Sequence, residues 1–133
     1  MNGGPRLFSI LRQGHTLIAS IHTALDDSQL ERFQRDLVER IGRDRARGVI
    51  IDVAALDVID SFACHTLRTI AQVARLRGAE TVVVGIQPDV AFTMVKLGAK
   101  LESMTTALDL EEGFERLAGI AAVTPLPDAP GLR

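Results

Sequence analysis

The stretch VIIDVAALDVIDSFACH, residues 49–65, decides the fold of this chain. Its first five residues form a short and nearly continuous run of β-branched apolar side chains, which is typical of a central strand covered on both faces. A loop with two carboxylates follows. Residues 61–77 then carry an apolar stripe at helical spacing, made of Ala63, Leu67, Ile70 and Ala74. The stretch therefore predicts a strand, a loop and a helix that ends before Gly78.

Downstream of this unit the same alternation continues. Residues 81–86 form a second apolar run, and Pro88 suits the first turn of a helix that extends through Leu97. A short strand is expected near Ser103–Thr105. Asp109 can then cap a last helix, because a carboxylate just before a helix accepts hydrogen bonds from the free backbone N–H groups of its first turn.

A further helix is predicted upstream of residue 49. Ser28 and Glu31 have the Ser-x-x-Glu spacing of a capping box. Apolar residues then recur on one face of the helix, at Leu30, Phe33, Leu37 and Ile41. We expect this helix to end near Gly48, after three arginines that suit the negative end of a helix dipole.

The chain begins with a predicted hairpin. Residues 7–12 and 17–21 have strand character, and Gln13-Gly14 between them suits a turn. The element order is therefore β-β-α-β-α-β-α-β-α. This order predicts an α/β fold with a mixed, mainly parallel sheet, an antiparallel N-terminal hairpin and about four helices.

Length and composition limit the organisation of the chain. The 133 residues suit one domain, which we place at residues 5–122. Residues 123–133 contain three of the five prolines, so we predict a disordered tail there. The single cysteine excludes an internal disulfide framework or a multi-cysteine metal site.

Charge and hydropathy exclude several classes of function. The formal charge of −2 provides no basic excess for nucleic-acid binding. No apolar run approaches the length of a membrane span, and the N-terminus lacks the apolar core of a signal peptide. We therefore expect a cytoplasmic protein that binds neither nucleic acid nor membranes and needs no metal or cofactor.

The loop before the second helix holds the candidate functional residues. Asp57, Asp60 and Ser61 lie where a parallel strand ends and a helix begins, which is where functional groups gather in open sheets. A phosphate on Ser61 would meet free backbone N–H groups and the positive end of the helix dipole, while the two carboxylates would repel it. The residue chemistry alone leaves Ser61 and Asp60 equally open to a capping role.

A polar stripe continues from Ser61 along the same helix. His65, Arg68, Gln72 and Arg75 follow at offsets of four, seven, eleven and fourteen residues. Such a stripe is either a solvated outer face or a docking surface centred on Ser61.

Two catalytic interpretations are less complete. Asp26, Asp27 and Asp52 could suggest a magnesium-dependent phospho-accepting aspartate, but a suitably placed lysine is missing. Ser61, Cys64 and His65 could suggest a hydrolase, but the Gly-x-Ser-x-Gly elbow is absent. Cys64 is interpreted as a packing residue, with redox sensing as the alternative. His15 and His22 are interpreted as surface residues.

The residues Asp60-Ser61-Phe62-Ala63, with the strand and loop before them, resemble the core motif of STAS domains. Within that family the chain is most similar to RsbS-type anti-sigma-factor antagonists of the stressosome. The generic antagonist has Asp-Ser-Ser-Gly at this point, whereas this chain has Asp-Ser-Phe-Ala. Segments near Pro88, Leu97 and residues 107–112 are similar to the last two helices of the family. The resemblance covers about residues 5–120.

The resemblance implies a non-enzymatic switch with no catalytic residues of its own. A serine kinase of the RsbT type, with a GHKL fold, would bind the chain, phosphorylate Ser61 and then be released. The expected partner-binding residues are Asp57, Asp60, Phe62, His65 and Arg68. RsbR-type paralogues would assemble with the chain into a large shell, and a homodimer or higher oligomer is expected. The alternatives are an accessory subunit of a lipid-transport complex and an antagonist that binds an anti-sigma kinase directly.

Overall fold

The computed structural model describes residues 6–98 and 105–123. The strands are β1 (Phe8–Gln13), β2 (Thr16–Ile21), β3 (Gly48–Asp52), β4 (Glu80–Val84) and β5 (Thr105–Ala107). The helices are α1 (Asp27–Arg43), α2 (Ser61–Leu76), α3 (Pro88–Lys96) and α4 (Leu110–Val123). Among the described helices, none has both the length and the apolar character needed to cross a bilayer.

The five strands form one sheet in the order β1-β2-β3-β4-β5. β1 and β2 pair antiparallel, and every other neighbouring pair is parallel. The predicted α/β fold class, with its N-terminal hairpin and four helices, is confirmed. β3 is the middle strand, so the stretch that predicted the fold lies at its centre.

Helices cover both faces of the sheet. On one face, Leu37 of α1 and Leu67 of α2 share a core cluster with Ile51 of β3. On the other face, Phe114 and Leu117 of α4 pack against a second cluster. This second cluster consists of Ile50, Val82 and Val84.

The predicted N-cap of α1 was two residues too late. The N-cap is Asp26, whose Oδ1 accepts a hydrogen bond from Gln29 N at 2.8 Å, while Gln29 Oε1 accepts one from Asp26 N at 2.9 Å. Asp26 and Gln29 therefore form the capping box instead of Ser28 and Glu31. Ser28 Oγ donates to Asp26 Oδ1, so the serine supports the capping carboxylate.

The predicted end of α1 was also too late. The helix ends at Arg43, and Asp44 follows as the C-cap. Arg45 then adopts a φ of +51°, which turns the backbone out of the helix before Gly48 begins β3. The three arginines thus span the helix end and the connection to the strand.

Two other predictions concern the chain after residue 98. β5 occupies Thr105–Ala107, so a strand is present at Thr105, while Ser103 and residue 104 of the predicted strand lie outside the described residues. The predicted tail at 123–133 also lies outside them, apart from Val123, the last residue of α4.

Candidate functional site

The loop between β3 and α2 is anchored to the neighbouring strand connection. Asp52 Oδ1 accepts a hydrogen bond from Ala54 N at 2.9 Å, and Gln87 Nε2 donates to Ala54 O at 2.7 Å. Gly85, at a φ of +78°, leaves room for this approach, since a Cβ there would lie 2.8 Å from the Ala54 Cβ. The loop therefore starts from a fixed position at the carboxyl end of the sheet.

Asp60 holds the far end of this loop. Its backbone is extended, and its Oδ1 accepts a hydrogen bond from Ala63 N at 2.8 Å, so Asp60 is the N-cap of α2. This settles which of the two candidate residues caps the helix. Ser61 is the first helical residue, and its side chain is exposed. Among the described residues, no hydrogen bond engages its hydroxyl.

The other predicted partner-binding residues lie around Ser61 along the first two turns of α2 and in the preceding loop. Asp57 is exposed, and Phe62 is half-buried. His65 is exposed and Arg68 half-buried, with 3.5 Å between His65 Nδ1 and Arg68 Nη2. Because positions i, i+4 and i+7 share a helix face, Ser61, His65 and Arg68 form one continuous strip.

The far end of the predicted polar stripe belongs to a different environment. Arg75 Nη2 lies 3.5 Å from Glu80 Oε1, at the start of β4. Gln72 is exposed between these two regions. The stripe is therefore continuous on the helix, but its last residue makes an ion pair at the opposite end of α2 from Ser61.

An apolar notch beside Ser61 was missed from the sequence. It has a volume of about 160 Å³. Most of its lining is apolar and comes from three segments: Ala24 and Leu25 before α1, Val58 and Ile59 in the site loop, and Ala63 and Leu67 in α2. Asp60 lies at its edge. Val58 is 62% exposed. Two loops about thirty residues apart form the notch, and a single sequence does not show that they meet. The one local signal for it was the apolar pair Val58-Ile59 between two aspartates in an otherwise polar loop.

Cys64 lies beneath the site and is only 8% exposed. It packs with Val90 and Met94 of α3. Burial raises the pKa of the Cys64 thiol, and the negative charge of Asp60 raises it further. Both effects disfavour the reactive thiolate, so the geometry supports packing over redox sensing.

The described residues do not assemble either of the two catalytic sites considered from the sequence, the aspartate site or the Ser61-Cys64-His65 site. Asp26 and Asp52 each accept a local hydrogen bond from a backbone N–H. In residues 6–98 and 105–123, no group of three or more His, Cys, Asp or Glu side chains is placed to hold a metal ion. No hydrogen bond joins Ser61 to His65 in this part of the chain, where the His65 ring neighbours Arg68 instead.

Comparison with known proteins identifies the family of this fold. The family model described as STAS domain matches residues 8–113. The chain is similar to a serine-to-glutamate variant of RsbS from Moorella thermoacetica, with 34% sequence identity and a TM-score of 0.78. The alignment covers 87% of this chain and 98% of that one. It is also similar to a chain in a structure of the molecular architecture of the stressosome, with 31% sequence identity and a TM-score of 0.70. This alignment covers 85% of this chain and 98% of that one.

A curated relative matches this chain over about a third of its own length. The RsbT co-antagonist protein RsbRA of Bacillus subtilis is 29% identical over 91 residues, which are 68% of this chain and 33% of the relative. The chain thus spans about a third of the length of the RsbR-type relatives that it matches.

Proposed function

Because the chain belongs to the STAS domain family, we propose that it is the phosphorylatable, non-enzymatic RsbS-type component of a stressosome. In this proposal the chain binds a serine kinase of the RsbT type, is phosphorylated on Ser61 and then loses affinity for the kinase. The observation that carries the proposal is the position of Ser61, which is exposed at the first residue of α2 while Asp60 does the capping.

Asp60 and Ser61 have different roles at the start of α2: Asp60 caps the helix, and Ser61 keeps its hydroxyl exposed. A capping serine would use its hydroxyl oxygen to accept backbone hydrogen bonds, whereas Ser61 leaves that oxygen available for attack. In the proposed step, Ser61 Oγ forms a bond to the γ-phosphorus of ATP and the bond from that phosphorus to the bridging oxygen of ADP breaks. A base of the kinase takes the hydroxyl proton, and ADP leaves.

The phosphate would change the charge of the docking surface. It adds about −1.5 to −2 charges at pH 7 beside two exposed carboxylates, those of Asp57 and Asp60. The free N–H groups of the first turn of α2 stabilise the phosphate. They do so whether or not the kinase is bound, so they do not oppose its release. We infer that the cost of burying the added charge weakens the interface with the kinase.

The proposed kinase-binding surface combines the predicted residues with the notch. Asp57, Asp60, Phe62, His65 and Arg68 surround Ser61. The notch beside Val58 suits one apolar side chain of the kinase, and the Asp60 carboxylate at its edge suits a basic residue next to that side chain. Specificity would then come from charge, and affinity from the apolar anchor.

We further propose that RsbR-type paralogues assemble with the chain. The similarity to a chain of the stressosome and to an RsbT co-antagonist supports this partner class. Since the proposed phosphate donor is ATP, we place the complex in the cytoplasm.

The test is phosphorylation by an RsbT-type kinase with magnesium and ATP, followed by mass spectrometry of the intact chain and its peptides. We expect one phosphate, on Ser61, and none on a Ser61→Ala variant. Ser28→Ala is the matched control, since Ser28 is also an exposed serine in the first turn of a helix, and it should be phosphorylated normally. Phosphate elsewhere, or on the Ser61→Ala variant, would overturn the site.

A binding measurement tests the release step. Ser61→Asp should lower the affinity for the kinase, by less than the phosphate does because Asp carries a single negative charge. Equal affinities for the unmodified chain and the phosphorylated chain would contradict the switch while leaving Ser61 as the modified residue.

A further inference from the structure

A cleft with a volume of about 500 Å³ lies where α3 and α4 flank β5, the last strand of the sheet. α3 packs beside α2 on one face of the sheet, and α4 packs on the other face. Clefts of roughly 300–1,000 Å³ are the size that holds small organic ligands. The residues of the cleft that matter here are Met94 and Val95 of α3, Ala107 and Leu108 at the end of β5, and Glu112 and Arg116 of α4.

The walls of the cleft are apolar from the inside to the rim. Met94 is only 3% exposed, whereas Val95 and Leu108 are 76% and 83% exposed. A ligand in the cleft would cover these two rim side chains, and removing apolar surface from water favours binding. The flexible thioether of Met94 can adapt to the shape of such a ligand. The cleft therefore suits a ligand with an aliphatic body.

Two charged side chains of α4 line the same cleft, and they differ in how far their hydrogen-bonding groups are occupied. Glu112 Oε1 accepts a hydrogen bond from Leu108 N at 2.6 Å, and Glu112 Oε2 lies 3.5 Å from Arg116 Nη2. Both oxygens of Glu112 are thus engaged. Arg116 has five N–H donors, and Glu112 is its one ion-pair partner within residues 6–98 and 105–123. The guanidinium therefore keeps donors for a ligand.

The charges in the cleft also select the head group of the ligand. A carboxylate can accept two hydrogen bonds from one guanidinium, so a ligand with a single carboxylate matches Arg116. A doubly charged head group such as phosphate would be repelled more strongly by the neighbouring Glu112. A cationic head group would face Arg116 and would compete for oxygens of Glu112 that are already engaged. One negative charge on an aliphatic body is the combination that fits.

From these observations we propose that the cleft between α3 and α4 binds a small amphipathic carboxylate. Its aliphatic body lies against Met94, Val95 and Leu108, and its carboxylate pairs with Arg116. Among the described residues, the cleft shares no lining residue with the notch beside Ser61. Binding at this site needs neither the proposed kinase nor a phosphate on Ser61, so it can be tested separately from the proposed function.

Titration of the full chain with sodium decanoate, below its micelle concentration, tests the proposal by NMR of ¹³C-labelled methionine methyl groups. Decanoate is a straight-chain carboxylate. The methyl signal of Met94, assigned by its loss in Met94→Leu, should shift and saturate with a Kd on the order of 100 µM. Decyltrimethylammonium has the same chain with a positive head group, and it should bind at least about 10-fold more weakly.

Two variants with matched controls locate the ligand. Arg116→Gln should weaken decanoate binding about 10-fold. Arg32→Gln is its control, because Arg32 also lies near a carboxylate four residues away, with 4.0 Å between Arg32 Nε and Asp36 Oδ2. Ala91→Trp places a large ring in the cleft and should abolish binding. Ala118→Trp is its control, since Ala118 is an exposed alanine of α4 outside the lining.

Three results would overturn the proposal. The first is a Met94 methyl signal that does not move when decanoate is added. The second is unchanged decanoate affinity in both Arg116→Gln and Ala91→Trp, which would place the ligand elsewhere on the chain. The third is equal affinity for decanoate and decyltrimethylammonium, which would show that the cleft does not recognise the carboxylate.

Discussion

The notch beside Ser61 and the outer strand β1 expose aliphatic side chains to nearly the same extent, 62% for Val58 and 60% for Leu11. Their surroundings differ. Asp57 and Asp60 flank Val58 along the chain, whereas Leu11 lies between Ile10 and the cation Arg12. Exposed apolar area indicates that a surface binds something, and the charges around it indicate what kind of partner fits.

The fold itself explains why the charges gather beside Ser61. In a parallel sheet with helical crossovers, helices begin at the carboxyl edge of the strands, and their free N–H groups favour carboxylates there. Asp26, Asp60 and Asp109 each accept such a hydrogen bond at the start of α1, α2 and α4. Leu11 lies within a strand and not at a helix start, so no capping requirement places a carboxylate beside it.

The largest effect is expected from placing a charge inside the notch. Val58→Asp should weaken binding of an RsbT-type kinase by about 100-fold, because an apolar anchor would have to enter a site that now holds a carboxylate. Leu76→Asp is the control for a new carboxylate at an exposed apolar position. Normal kinase affinity of Val58→Asp, measured by titration calorimetry, would rule the notch out of the interface.

A smaller effect separates the two roles of Asp60. Asp60→Ala removes the helix cap and should lower the free energy of unfolding by about 1 kcal/mol, whereas Asp60→Asn keeps the cap and should cost a few tenths. Urea unfolding measures both. Asp57→Ala is the matched control, since Asp57 is exposed and caps no helix. If the charge of Asp60 also attracts the kinase, Asp60→Asn should weaken binding without unfolding the chain.

Local sequence pattern was enough for most of the fold. The apolar run at 49–53, the stripe in α2 and Pro88 at the start of α3 each specify their element through nearby residues, and the structure contains all three. The end of α1 was misplaced because Arg43, Arg45 and Arg47 suit both a helix end and an exposed connection. Its actual end depends on the backbone turn at Arg45.

The candidate site was only partly predictable for the same reason. Ser61 and Asp60 are neighbours in sequence, so their place at a helix start follows from local pattern. The notch requires Leu25 and Val58, about thirty residues apart, to line the same cavity. Contacts between distant segments leave no periodic signal in a single sequence.

A buried hydroxyl offers a way to separate binding from stability. Thr81 of β4 is 2% exposed, and its Oγ1 has no hydrogen-bond partner within the described chain. Thr81→Val should therefore raise the free energy of unfolding by roughly 0.5–1 kcal/mol, since it removes an unpaired polar group at nearly constant volume. Kinase binding should not change. A loss of kinase binding would mean that stability and binding are coupled through the core.

The smallest expected effect concerns the ion pair at the end of α1. Arg40 Nε donates to Asp44 Oδ2 at 3.0 Å, and this hydrogen bond holds the pKa of Asp44 below its ordinary value of 3.8. Because the folded pKa is lowered, the stabilisation is present above pH 3.8 and is lost as the pH falls through the folded pKa. The difference in unfolding free energy between the unmodified chain and Asp44→Asn should therefore shrink in acid.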